Sequence, residues 1–439
     1  MIFNFLKYTR PIWYFNLGSS NDYGYFPTEE QLRIAGYSIK KDTRFKSEDS
    51  IKRELAWNAL HSGFINKNFE SGLNVWDKID LPIEDEYLFL RKNFHKAWVV
   101  YVLFIRVLTF HNPISEIIAF LKHKGVKQQD YSKQIFEYND YTDFNSQLVK
   151  SNPLVSVVIP TLNRYQYLKD VFKDLENQTY KNFEVIVVDQ TDDFKEEFYK
   201  GWSLDLKYWF QEEKALWKAR NEAIKSAKGD LILLYDDDSL IDPNWIEEHL
   251  KCLDYFKADL SSGVSLSVVG AEVPKNYSYF KWSEQLDTGN VLLKKEIFYT
   301  IGFFDLKFEK QRMGDGEYGL RCYLNGYKNI SNYKAKRIHL KVSQGGLRQM
   351  GSWDGWRPKK LFGPRPVPSV LYLSRKYFGN KLTFFYIFKS ILPSLIPYKF
   401  KGNRILKLLA FLFLPLFLPL VIFQIKSSWN KSTTMLNKQ

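Results

Sequence analysis

The chain has 439 residues, with 63 Lys and Arg against 49 Asp and Glu, a formal net charge of +14. That length predicts two or three domains with ample chain to bury a core, and a composition 45% hydrophobic and 26% charged excludes the disordered, collagenous and disulfide-rich classes. Two cysteines, Cys252 and Cys322, are too few for a disulfide framework or a Cys-based zinc site and read as small buried residues of a reducing compartment.

Residues 1–150 are polar and aromatic-rich, with helical patterns near 50–63 and 82–110. Within the second, 97–110 is apolar apart from Arg106; it is too short to span a bilayer and reads as a buried helix. The first fifteen residues contain Pro11 and too short an apolar stretch for a secretory signal, so the body is expected in the cytoplasm. No catalytic constellation stands out here, and 1–150 reads as an accessory region of unassigned role. Asn152-Pro153 marks its end, because a residue before proline is pushed out of helical geometry.

From residue 154 strands and helices alternate. Apolar, β-branched runs at 155–159 (VSVVI), 183–188 (FEVIVV) and 230–235 (DLILLY) predict buried parallel strands, with 206–210 as a further candidate. Helices are predicted over 165–177 and 215–227, and from Asp242-Pro243 to 256, with Asp242 at the cap and Pro243 in the first turn. This order predicts an α/β domain, 151–355, with a mostly parallel, Rossmann-like sheet and helices on both faces.

Ligands of open α/β sheets bind beyond the carboxyl ends of the strands. Two acidic clusters fall there: Asp189, with Asp192 and Asp193 close behind, and Asp236-Asp237-Asp238. Three aspartates in a row are most often a solvated loop. Directly after a buried strand their mutual repulsion is costly unless a cation relieves it, and Asp residues at i and i+2 can share one hard divalent ion that also takes diphosphate oxygens.

At this point the chain resembles the family-2 glycosyltransferases of GT-A fold. The resemblance lies in LVSVVIPTLNR (154–164), QTYKNFEVIVVDQTDD (178–193), ARN (219–221), GDLILLYDDD (229–238), TGNV (288–291), GFFD (302–305) and GDGEYGLR (314–321), in family order over 154 to about 355. It implies that Thr161 and Asp189 contact the base and ribose of a nucleotide-sugar donor, with Arg220 steadying Asp189 or the nucleotide. Asp236 and Asp238 would form the Asp-x-Asp pair on a divalent metal, Mn2+ or Mg2+, and His339 would complete its coordination. Asp315 would be the catalytic base, in a loop just before a helix from Glu317. Glu317 would serve orientation or acceptor binding, and Arg348, in a Gly-rich basic loop, would reach the donor phosphates. Arg164 carries no assigned role, exposed arginines being common.

The implied reaction is inverting, metal-dependent transfer. The Gln-x-x-Arg-Trp motif of processive members is absent, which points to addition of one sugar, and Asp189-Gln190-Thr191 in place of the commoner Asp-Asp-Gly-Ser leaves the donor base open.

The last region, 356–439, points to a membrane. Residues 355–439 hold fifteen Lys and Arg and no Asp or Glu, leaving 48 basic against 49 acidic residues in 1–354. A near-neutral body argues against a nucleic-acid partner, whereas a basic segment beside the uncharged run 408–423 suits an anionic membrane surface. Residues 382–396 read as interfacial. Pro415 and Pro419 interrupt 405–425, for which peripheral or re-entrant insertion, a single span and a buried helix all stay open. The acceptor expected from such a tail is a glycan, lipid-linked, at the cytoplasmic face of a bacterial membrane. The rival readings are a non-catalytic sugar-nucleotide-binding protein and a membrane-surface adaptor.

Overall fold

The computed structural model describes residues 1–439 apart from 22, 68–70, 77–78, 268–274, 343–354, 398–399, 401 and 438–439. Among the described residues nine strands form one sheet: β1 Val155–Thr161, β2 Phe183–Asp189, β3 Asp205–Phe210, β4 Leu231–Tyr235, β5 Ser239–Ile241, β6 Leu260–Ser267, β7 Lys281–Trp282, β8 Asn290–Lys294 and β9 Asn329–His339. Their order is β3-β2-β1-β4-β8-β6-β9-β5, with β7 also on β9.

The half from β3 to β4 is parallel, and its members β1, β2 and β4 are buried along their whole length, as their continuous apolar runs require. Beyond β4 the sheet is mixed: β8 runs antiparallel to β4 and β6, and β6 runs parallel to β9. The α/β class and the helices covering the sheet are those expected. The helix Tyr165–Glu176 buries Leu168, Val171, Phe172 and Leu175, a 3.6-residue stripe.

Three features differ from the sequence reading. The helix expected from Asp242 begins at Trp245, with Asn244 at its cap; Asp242 instead uses its carbonyl to accept from Trp245 N and Gln178 Nε2. The stretch 82–110 splits into Ile83–Asn93 and Lys96–Leu108, because Phe94 and His95 are extended and the His95 ring caps Ala97 N–H. The second of these helices is not buried, since one of its faces lies open to solvent.

Residues 1–150 share one apolar core with the sheet domain. They also grip the helix Gly314–Leu324: Tyr14 Oη donates to Gly316 O, Ser19 Oγ to Tyr323 O (2.6 Å) and Tyr323 Oη to Leu17 O (2.7 Å). From the other side comes the C-terminal helix Pro368–Ser394, kinked at Gly379 (φ 75°). Its Tyr372 donates to Asp305 Oδ2 at 2.8 Å, and Tyr377 donates to Glu317.

The chain ends in Arg404–Leu412, none of whose residues is buried, and Leu414–Asn437. They meet at 79°, and no single helix among the described residues is long and apolar enough to cross a membrane, although this bent pair is so by length and composition. Pro415 explains the break: it has no N–H to continue the first helix but suits the first turn of a new one.

Candidate active site

The carboxyl ends of β1, β2 and β4 lie side by side, with Thr161 opposite Asp189 in the β1–β2 register. β5 leaves the aspartate run and pairs antiparallel with the end of β9, placing His339 opposite Ser239. That pairing sets Asp238 Oδ1 3.3 Å from His339 Nε2. Ligand atoms of Asp236, Asp238 and His339 all lie within 4.8 Å of one another. Two ligands bound at about 2.1 Å and near right angles stand about 3 Å apart, and carboxylates with one imidazole make a donor set for a hard divalent ion such as Mn2+. The residues therefore fit a divalent cation.

Arginines hold the aspartates in place. Asp236 Oδ1 accepts from Arg220 Nη2 at 2.9 Å and Oδ2 from Arg337 Nη1 at 2.8 Å. Arg220 also donates to Thr288 O, and it does not meet Asp189, the partner the sequence suggested. Arg337, 1% exposed, forks onto both oxygens of Asp287 (3.0 and 2.9 Å) and bonds Ser265 and Ser239. Burial opposes ionisation of Asp287, but the Arg337 guanidinium keeps its carboxyl below the ordinary value.

Arg164, passed over in the sequence, bonds Asp237 Oδ1 at 2.8 Å and stands 3.2 Å from Asp238 Oδ2. Thr161 donates to the other oxygen of Asp237 at 2.7 Å. Burial pushes the Asp237 carboxyl up to about 6, against the pull of Arg164.

Asp189 is 0% exposed, and its carboxylate accepts from Tyr165 Oη (2.6 Å), Tyr199 Oη (2.7 Å) and Thr191 N (2.8 Å). Beside this turn, Asn163, Tyr165, Thr191, Asp193 and Lys195 line a shallow cleft.

Asp315 lies within the first turn of the helix Gly314–Leu324 rather than in a loop ahead of it. A helix N-terminus favours an anion. The capping residue, Met313, holds φ 77°, the left-handed region that costs a non-glycine residue about 1–3 kcal/mol and clusters at functional sites. Gly314 lies against the Trp217 side chain, where a Cβ would be 2.5 Å from Trp217 Cε2 and closer still to Cζ2. Arg220, one turn further along the Trp217 helix, donates to Asp236, while the Asp315 carboxylate accepts from Gly316 N at 2.8 Å.

Glu317 is 0% exposed, bound to Arg321 (2.9 Å), Lys376 (3.4 Å) and Tyr377. That is the geometry of an orienting tie between two helices, with no carboxylate surface left for an acceptor. Arg348 lies outside the described residues.

Arg337, Asp287 and Arg164 have no role in the sequence reading, and Asp237 none beyond its place in the aspartate run. One signal was available: Arg337 and His339 are two apart on β9 and so share a face of the strand.

Residues 156–310 match the family described as Glycosyl transferase family 2. Glycosyltransferase GlyA of Streptococcus pneumoniae is 27% identical over 236 residues, 52% of this chain and 30% of its own length. Poly(ribitol-phosphate) beta-N-acetylglucosaminyltransferase TarS of Staphylococcus aureus is 29% identical over 153 residues, 33% of this chain and 26% of its own. Among solved structures, S. aureus TarS 1-349 in complex with UDP-GlcNAc aligns with 65% of this chain and 92% of its own, at 17% identity and a TM-score of 0.44. The chain spans about a third of the length of the curated relatives it matches. On that match, residues 156–310 form a domain of the glycosyl transferase family 2 type.

Proposed function

We propose that the chain transfers one sugar, with inversion, from a nucleotide-sugar donor to a hydroxyl of a glycan acceptor. The observation that carries the reading is the convergence of Asp236, Asp238 and His339 at the carboxyl edge of the sheet. These residues would hold a divalent cation, Mn2+ or Mg2+, which when bound acts as a Lewis acid toward the donor diphosphate. Thr161, Asp189 and Asp237 shape the nucleotide side. Asp315 takes the proton of the acceptor hydroxyl as that oxygen attacks the anomeric carbon from the face opposite the leaving diphosphate, and a single base on that side gives inversion.

The basic C-terminal region and its exposed apolar helix Arg404–Leu412 support a lipid-linked acceptor at the cytoplasmic face of a membrane, in assembly of a bacterial surface polysaccharide. TarS, named as a poly(ribitol-phosphate) beta-N-acetylglucosaminyltransferase, is in keeping with a polymeric acceptor.

The test is calorimetry with UDP-, GDP-, dTDP- and CMP-sugars, with and without Mn2+, on the wild type and Asp238→Ala. One nucleotide class should bind with Mn2+ and lose that dependence in the variant; equal binding in both proteins would remove the metal assignment. Asp315→Asn should bind donor normally and transfer no sugar. A variant with wild-type transfer would show that another group is the base.

A further inference from the structure

The helices Lys96–Leu108 and Pro113–Lys122 form a hairpin that is inside out for a water-facing surface. Its Arg106 and Glu116 point inward: Arg106, 7% exposed, donates to Glu116, 1% exposed, at 2.7 Å, and Tyr87 Oη donates to the other Glu116 oxygen at 2.7 Å. Its outward face is apolar. Val100, Phe104, Val107 and Leu108 stand open on the first helix and Ile114, Ile117, Ile118 and Leu121 on the second, with Phe110 at the tip 98% exposed. Water rewards the opposite arrangement, so a face of this kind is built for a partner.

Charge identifies the partner. Residues 94–129 contain one acidic residue, the sequestered Glu116, while Lys96, Lys124 and Lys127 are exposed and Lys122 pairs with Glu84 of the neighbouring helix. An apolar stripe accompanied by exposed lysines, its own carboxylate buried, is complementary to an anionic lipid surface.

The hairpin also adjoins the C-terminal region. Lys389 Nζ lies 5.9 Å from the Trp98 ring centroid and donates to Thr9 O at 2.8 Å, and Tyr8 packs edge-on against Phe385 at 5.0 Å. On the same helix, Phe384 and Phe388 are exposed.

We propose that this hairpin is a second membrane-inserting element, laying its apolar face into the headgroup–acyl boundary of an anionic bilayer. Neither helix is long enough to span, so the contact is interfacial. The proposal rests on the membrane reading of the C-terminal region for the nature of the partner, and it assigns residues 96–122 a task. With attachment at two places, the body would be held in one orientation to the bilayer, where a single tether would let it swivel.

The test uses the full chain. Cys252 and Cys322 are buried, so cysteines introduced singly as Phe104→Cys, Ile118→Cys or Phe411→Cys can be labelled selectively with an environment-sensitive fluorophore. Vesicles containing phosphatidylglycerol should shift the emission at 104 and 118 to the blue, and phosphatidylcholine alone should do so far less. In a separate sedimentation assay, Phe104→Ser with Ile118→Ser should lower partition onto anionic vesicles on the order of 100-fold, since both side chains leave an apolar phase. A response at 411 without one at 104 and 118 would overturn the hairpin and leave the C-terminal reading standing. Silence at all three positions would overturn both. A concentration-dependent shift at 104 and 118 without vesicles would mean that a second copy covers the face, and would equally overturn the proposal.

Discussion

Gly289 tests whether the arginine-held geometry of Asp236 matters. A Cβ built there would lie 2.5 Å from Arg337 Cζ and closer still to Arg337 Nη1 and Asp236 Oδ2. Carbon–carbon contacts settle at about 3.5–4.0 Å, so Gly289→Ala demands a displacement of roughly 1 Å. Arg337 is 1% exposed and fixed by Asp287, Ser239 and Ser265, whereas the Asp236 side chain is 16% exposed, so most of the movement falls on Asp236. Overpacking of this kind costs about 1–3 kcal/mol, which the fold can absorb. A reacting or binding group misplaced by about 1 Å can cost about 100-fold in rate. Sugar transfer should therefore slow by about that factor and calorimetry should find weaker Mn2+-supported donor binding, with an unchanged circular dichroism spectrum and a modestly lower melting temperature. Gly125→Ala, where a Cβ meets nothing within 4 Å, is the matched control. Wild-type donor affinity in Gly289→Ala would refute the view that Asp236 acts from this position.

Two further outcomes follow from buried carboxylates. Burial raises Glu86 from 4.5 to about 7, against the two backbone N–H groups of Asn4 and Phe5 that it accepts. The folded state therefore prefers the protonated acid. That contribution, about 3 kcal/mol, is complete below pH 4.5 and is lost as pH rises through about 7. Urea titrations at about pH 5 and about pH 8 should show the decline in the wild type and a flatter profile in Glu86→Gln; parallel profiles would contradict it. Tyr377→Phe removes a donor from the buried Glu317, a loss of about 1–3 kcal/mol. It should lower the melting temperature and kcat, through the helix that carries Asp315, without weakening donor binding. A donor-binding defect equal to the kcat defect would place Glu317 elsewhere in the mechanism.

What was legible in the sequence is what depends on local pattern. VSVVI, FEVIVV and LILLY declare buried parallel strands because both their faces meet apolar helices. β6, LSSGVSLS, does not, since its buried serines are satisfied individually, Ser261 by His249 and Ser262 by Asn329. The aspartates were visible because three fall together after a strand. Their arginine partners were not: Arg337 is 101 residues from Asp236, and Arg164 is 73 from Asp237. Only the sheet order brings β9 and the end of β1 to that edge. The hairpin failed differently. An all-apolar helix with one charge reads the same whether its apolar face meets a core or a bilayer, and the inward direction of Arg106 separates the two only in three dimensions.

The arginines change how a cation must enter the site. Asp236, Asp237, Asp238 and Asp287 bring four negative charges to three from Arg164, Arg220 and Arg337, a surplus of only one. A dication beside Asp238 would stand close to the Arg164 guanidinium, which is 3.2 Å from Asp238 Oδ2. At about 5 Å and an effective dielectric near 20, that repulsion is about 6–7 kcal/mol, comparable to the attraction of one carboxylate for the dication. Metal alone should therefore bind weakly. A nucleoside diphosphate brings the missing negative charge, so metal and nucleotide should bind synergistically, each tightening the other by the same factor. Arg164→Ala separates the terms: it should strengthen binding of Mn2+ alone while weakening the synergy, because the guanidinium that repels the cation also attracts the phosphates. Its stability cost, about 3–5 kcal/mol for leaving Asp237 without its cation, is checked by melting, and Arg164→Lys keeps the charge as a control. Mn2+ titrations of the three proteins, with and without the nucleotide, decide the matter. Equal Mn2+ affinity in all six would mean that the cation does not sit beside Asp238.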